Sequence, residues 1–247
     1  MKYELFEVGG AVRDSLLGIK SKDIDYTVVI SDAPADDPAM AFLWFNAQIE
    51  AEGFQIFLVT HEMFTIRAKF PKGHQYEGLV ADFVMARHEE GFEKGTRRPK
   101  ICRIGSLEDD LKRRDFTINA MARDMHGNLI DPYNGKGDLF AGVLRCPVDA
   151  QTSFNEDPLR ILRALRFSIT KDVQISRAVR VGITQLNPDR FIETVSVERI
   201  REELDKMFRF NSKRAFAVLM NLKAWNTGIF EFIMDKLWFK PTTEKTV

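Results

Sequence analysis

Two glycines, an arginine and two aspartates fall within one short stretch near the start of the chain. The run FEVGGAVRDSLLGIKSKDIDYTVV, Phe6 to Val29, reads as a short strand, a Gly-Gly turn, a short helix and a second strand. Gly9 and Gly10 can adopt φ > 0, or let a phosphate come close to the backbone. Arg13 follows within one helical turn and offers a fixed fork of donors. Asp23 and Asp25 are two apart and lead into YTVVI, whose β-branched and aromatic residues favour a strand. A period of two turns both carboxylates to one face. Carboxylates side by side repel unless a cation lies between them. The pattern fits a Mg²⁺ site beside a phosphate cradle. Taken singly, a Gly-Gly pair also fits an ordinary turn, and Asp-x-Asp also fits a solvated strand edge or a helix cap.

At the words VGGAVRD and KDIDY the chain resembles the nucleotidyltransferases of the DNA polymerase β-like superfamily. Within it, the resemblance is to the class II tRNA nucleotidyltransferase (CCA-adding enzyme) and bacterial poly(A) polymerase family. Three later stretches bear on it. LVADFVMAR, 79 to 87, reads as a strand in which Asp82 stands among Val80, Phe83 and Val84. A carboxylate there must be exposed, paired or on a metal. The family places a third acidic residue on this strand, five residues before an arginine; Asp82 and Arg87 match, which implies Asp82 as a third metal-side carboxylate.

SLEDDLKRRDFTINAMA, 106 to 122, matches the family's RRDFTINAMA word. Ser106 with Asp109 resembles a capping box at a helix start. Arg114 can bind a triphosphate bidentately, and Asp115 can accept from a ribose hydroxyl. The pattern Asp131, Pro132, Gly135, Asp138 and Arg145 also matches the family, as a mainly structural close to the first domain.

FNEDPLRILRALRF, 154 to 167, places Pro158 at a first helical position with Asp157 as N-cap. Leu159, Leu162 and Leu165 form an apolar stripe, and Asp157, Arg160 and Arg163 a polar one. A cap with an i,i+3 ion pair would explain the polar stripe structurally. A recognition role explains it too. The Watson–Crick edges of C and A each set an amino donor beside a ring-nitrogen acceptor, which an aspartate and an arginine can read. G and U reverse both groups, at a cost of roughly 1–3 kcal/mol per contact. In the family an EDxxR motif does this, and it maps onto Glu156, Asp157 and Arg160. Arg163 and Arg166 match further arginines of the same helix, associated with the nucleotide and its phosphates.

These groups need elements to hold them. The first part, 1–147, is expected to be an α+β polymerase β-like head, with a small, mostly antiparallel sheet and helices on one face. The charged run 88–106 reads as a mobile loop, which the resemblance connects with switching between nucleotides. The second part, 148–247, reads as an all-helical neck, and VSVERIREELDKMF, 195–208, resembles the family's neck motif. Full-length class II enzymes continue into body and tail domains, which are not expected in these 247 residues. Three explanations fit: a naturally minimal enzyme, a separate chain or oligomer that replaces those domains, or a boundary placed within a longer protein.

Composition sets bounds. Lys+Arg and Asp+Glu are both 36, so the formal net charge is zero, which argues against a large phosphate-tracking surface. Basic residues instead cluster locally from Arg97 to Arg114. No apolar run suits a membrane span, and Cys102 and Cys146, the only cysteines, suggest neither a metal pair nor a disulfide framework. A reducing, cytoplasmic setting is the default. The expected partners are a tRNA 3′ end, ATP and CTP, with Mg²⁺ as cofactor and no membrane. The expected reaction, implied by the resemblance, is template-independent transfer of CMP and AMP from CTP and ATP to the 3′ end of tRNA, by two-metal phosphoryl transfer that releases pyrophosphate. A poly(A) polymerase, a CC-only or A-only enzyme, and a non-catalytic nucleotide- or RNA-binding module are the alternatives.

Overall fold

The computed structural model describes residues 1–21, 24–34, 36–93, 96 and 99–236. It divides into two compact units, the first running to Val148 apart from Thr96, and the second from Asp149 onward.

The first unit begins with β1 (Lys2–Val8), α1 (Gly10–Leu16) and β2 (Ile24–Ser31). Helix α2 (Pro38–Ala51) starts where Asp37 accepts from the Met40 N–H and Pro38 presets φ. Strands β3 (Gln55–Thr60), β4 (Thr65–Lys69) and β5 (Val80–Met85) follow. With β8 (Ala122–Arg123) and β9 (Leu129–Ile130) they form a seven-stranded sheet of order β3-β4-β5-β2-β1-β8-β9. Every neighbouring pair is antiparallel except β2 with β5, which are parallel. The α+β expectation holds.

Alternation along the strands splits the sheet's faces. Tyr26, Val28, Phe83 and Met85 pack with Phe42, Phe45 and Ile49 of α2 into the main core. Phe6, Val8 and Ala122 turn the other way and meet Leu111 of α3 (Leu107–Lys112). Helices therefore cover both faces rather than one. The reason lies in β1 and β2: apolar side chains stand at successive positions on both faces, and each set needs a cover.

The segment 88–106 also departs from expectation. Among its described residues, β6 (Arg87–Phe92) and β7 (Pro99–Ile104) pair antiparallel, His88↔Arg103 and Glu90↔Ile101. Its charged side chains hide the strand pattern, because cross-strand ion pairs such as Arg103–Glu90 stand where apolar contacts usually do. Of the basic run read here, Arg97 and Arg98 lie outside the described residues. Helix α4 (Gly135–Ala141) closes the unit: Asp131 accepts from the Gly135 and Lys136 N–H groups, and buried Asp138 accepts from Thr117 and pairs with Arg145.

The second unit is helical: α5 (Ala150–Glu156), α6 (Arg160–Thr170), α7 (Arg177–Gln185), α8 (Pro188–Thr194), α9 (Val197–Trp225) and α10 (Thr227–Lys236). Helix α6 buries Ile161, Leu162, Leu165 and Ile169, and packs along α9, which buries Ile200, Leu204 and Met207. Asn211 interrupts α9 with φ −160°, and its side chain caps the continuation by accepting from Arg214 N–H. No helix among the described residues is long and apolar enough to cross a membrane.

Candidate active site

The first unit assembles its polar groups at the end of β1 where the chain turns into α1. Gly9 holds φ +70° with ψ −130°, a sparsely populated conformation that costs other L-residues roughly 1–2 kcal/mol. A Cβ at Gly9 would stand 2.9 Å from Arg114 Nη1 and 3.8 Å from Asp25 Oδ2. The missing side chain is thus what lets Arg114 and Asp25 approach this turn. At Gly10 an added Cβ would lie 3.5 Å from Arg13 Nη2.

Asp25 is the β2 partner of Asp82 on β5 in the parallel ladder. Partners in register turn their side chains to the same face, and adjacent strands lie about 4.8 Å apart. The two carboxylates therefore stand on neighbouring strands with their side chains on one face. Both are half-buried, and the Asp82 side chain is 35% exposed. Arg67, opposite Asp82 on β4, approaches it at 3.8 Å. Hard carboxylate oxygens suit Mg²⁺, so the donor set fits that ion. Asp23, expected with Asp25 as the first pair of metal-side carboxylates, lies outside the described residues. Among the described residues no group of three or more His, Cys, Asp or Glu gathers tightly enough to hold a metal.

The RRDFTIN word supplies the rest. Ser106 and Asp109 form a reciprocal capping box that starts α3. One turn on, Asp110 is buried and accepts from Thr27 Oγ1 at 2.7 Å and from Arg114 Nη2 at 2.7 Å and Nε at 3.0 Å. Burial pushes its carboxyl up, but Arg114, Arg113 and the Thr27 hydrogen bond outweigh that and hold it at about 2. Asp115 accepts from its neighbour Phe116 N–H at 2.8 Å and from Asn119 Nδ2 at 2.9 Å. Asn119 Oδ1 in turn accepts from Arg13 Nη1, while Arg13 Nε donates to Asp14 at 2.9 Å. Arg13, Asn119 and Asp115 are all buried, so Arg13, expected to help seat a triphosphate, is engaged in a hydrogen-bond network that reaches Asp115. The sequence reading singled out Arg13 and Asp115 but missed Asn119, Asp110 and Thr27. The first two lie inside or beside the RRDFTIN word; no local signal marks Thr27, which tertiary pairing alone recruits.

The second unit carries the remaining candidates. Residues 158–159 form a tight turn with i→i+3 bonds, Arg160 N to Asp157 O at 3.1 Å and Ile161 N to Pro158 O at 3.1 Å. The regular helix consequently begins at Arg160, two residues later than expected. Asp157 has an extended backbone, and its Oδ1 accepts from Leu159 N–H at 3.3 Å, so it caps this turn rather than α6 proper. Asp157 Oδ2 also meets Arg199 at 3.4 Å. Arg160 is buried; its Nη1 donates to Ser153 Oγ at 2.7 Å and reaches Glu156 at 3.4 Å. Arg166 donates to buried Glu203 of α9 at 2.6 Å and lies 4.2 Å from the Phe167 ring centroid, whereas Arg163 is 5.7 Å from it. Arg166 thus ties α6 to α9.

Comparisons with known proteins bear on the family. Residues 5–145 match the family model described as "Poly A polymerase head domain", and residues 172–239 match "Probable RNA and SrmB- binding site of polymerase A". A CCA-adding enzyme of Lactobacillus johnsonii is 31% identical across 98% of this chain and 57% of its own length. The multifunctional CCA protein of Methylobacillus flagellatus is 35% identical across 98% of this chain and 53% of its own length. The chain therefore spans about half the length of the curated relatives it matches. Among solved structures, the Bacillus stearothermophilus CCA-adding enzyme in complex with CTP aligns at a TM-score of 0.71 and 25% identity, over 92% of this chain and 53% of that one. The Thermotoga maritima CCA-adding enzyme complexed with tRNA aligns at 0.67 and 28%, over 97% and 50%. With the head-domain model covering more than half of its residues, and the Gly-Gly turn and RRDFTIN word meeting in one polar corner, the chain belongs to the tRNA nucleotidyltransferase and poly(A) polymerase family.

Proposed function

We propose that this chain transfers CMP and AMP, without a template, from CTP and ATP to the 3′ end of tRNA. The observation that carries the reading is the in-register pairing of Asp25 with Asp82 beside a glycine turn filled by the Arg114 guanidinium. The RNA 3′ oxygen attacks the α-phosphorus; the new O–P bond forms as the bond to the leaving pyrophosphate breaks. Asp25 and Asp82, with Asp23, would hold two Mg²⁺ ions, whose chemistry when bound would be to neutralise phosphate charge and lower the pKa of the attacking hydroxyl. Gly9, Gly10 and Arg114 seat the triphosphate. Arg13, through Asn119, keeps Asp115 turned to accept from a ribose hydroxyl. Asp157 accepts from the amino group of C or A, and Arg160 donates to the adjacent ring nitrogen. Arg163 and Arg166 support the nucleotide from the same helix, Arg166 chiefly by fixing that helix to Glu203.

The test is incubation of tRNA lacking its 3′ end with CTP, with ATP, and with both, resolved to single nucleotides. Two C residues with CTP alone and a completed CCA end with both are expected. A long A tail identifies a poly(A) polymerase, and growth that stops at CC or needs a preformed CC end identifies a partial enzyme. No incorporation under any condition leaves a nucleotide- or RNA-binding module.

A further inference from the structure

We infer that Asp110, with Thr27, is a positioning residue that sets which end of the Arg114 guanidinium faces the triphosphate. The inference rests on the phosphate-cradle reading above. Asp110 is only 2% exposed, and its Oδ2 takes both Nε and Nη2 of Arg114 from one side. That side-on grip leaves Nη1 as the nitrogen that lies at Gly9, 2.9 Å from where a Cβ would stand. No hydrogen-bond acceptor for Nη1 stands among the described residues. Thr27 completes the clamp: its hydroxyl donates to Asp110 Oδ2 at 2.7 Å and lies 3.3 Å from Arg114 Nη2. Thr27 is two residues after Asp25 on β2, so the clamp ties the arginine to the strand of the metal-side carboxylate.

Asp110 also accepts from Arg113 Nε at 3.2 Å, and Arg113 and Arg87 share Glu89. In this cluster three guanidinium groups share two carboxylates, and the arginine with an end at the glycine turn is Arg114. A carboxylate buried this deeply is costly without its partners, so the arrangement persists only because every bond in it is made.

The test is CTP binding with Mg²⁺ and no RNA, by isothermal titration calorimetry on the full chain, with thermal unfolding alongside. Arg114→Ala is expected to weaken binding about tenfold or more, and Thr27→Val about fivefold. Thr27→Ser, which keeps the donor, recovers most of the affinity. In the Arg114→Ala background Thr27→Val adds nothing further, because the hydroxyl acts through the arginine. Asp110→Asn, where it folds, weakens binding more than Thr27→Val; Thr27→Val carries the test where it does not fold. Wild-type binding by Thr27→Val beside weak binding by Arg114→Ala overturns the positioning role and leaves the cradle reading standing. An equal loss from Thr27→Val in both backgrounds marks a merely structural role and also overturns it. No CTP binding by the wild type, or wild-type binding by Arg114→Ala, removes the cradle reading and this inference with it.

Discussion

The two units build their polar groups in opposite ways. In the first, Gly9, Asp25, Asp82 and Arg114 come from separate elements and meet only because β1, β2, β5 and α3 pack together. In the second, Glu156, Asp157, Arg160, Arg163 and Arg166 come from one turn and the helix it opens. The first corner is held by cross-strand register and a buried hydrogen-bond network. The second is held by a tight turn, with two ties to α9, Asp157–Arg199 and Arg166–Glu203. Groups from distant segments tolerate little change, since any one removed leaves another buried and unpaired. Groups on a single helix can lose one member and keep the others in place.

That contrast can be broken from either side. The largest effect is expected from Asp25→Ala: incorporation falls by about 10³-fold or more, while CTP binding stays measurable. Near-normal turnover would refute the carboxylate pair as the metal side. Gly9→Ala comes next. The positive-φ backbone and the 2.9 Å approach to Arg114 Nη1 both oppose a methyl group. The KM for CTP should rise roughly 5- to 30-fold, matching a strain of about 1–2 kcal/mol. An unchanged KM would mean that the turn's conformation does not matter to the site.

In the second unit, Glu203→Gln keeps an acceptor for Arg166 but removes the charge. A loss of about 2 kcal/mol is expected, near 4–8 °C in Tm for a chain of this size. Base choice should be unchanged, and a shift in nucleotide preference without loss of stability would make Arg166 a direct contact. The smallest effect is expected for Arg160→Ala, which should relax discrimination against GTP and UTP about tenfold. Full rejection of both by that variant would end the edge-reading account.

Local chemistry made the words themselves legible: a strand before Gly-Gly, a capping box at Ser106, an apolar stripe at Leu159, Leu162 and Leu165. Each depends on neighbours within one turn or one strand, and all three occur in the structure. The pairing of β6 with β7 was not legible, because it is carried by charged side chains that look like a loop until their partners are known. The start of α6 was misplaced by two residues, because a proline signals a helical φ without deciding between a tight turn and a regular helix.

By itself the sequence determined the family words, the residue types and the local turns that carry them, since those depend on short-range sterics and hydrogen bonds. Only the tertiary structure decided that Asp25 stands level with Asp82, that Arg114 fills the space Gly9 leaves, that Thr27 meets Asp110 and that Asn119 meets Arg13. Strand register and buried polar pairing join residues some 50 to 100 positions apart, and no local preference encodes which of them will meet.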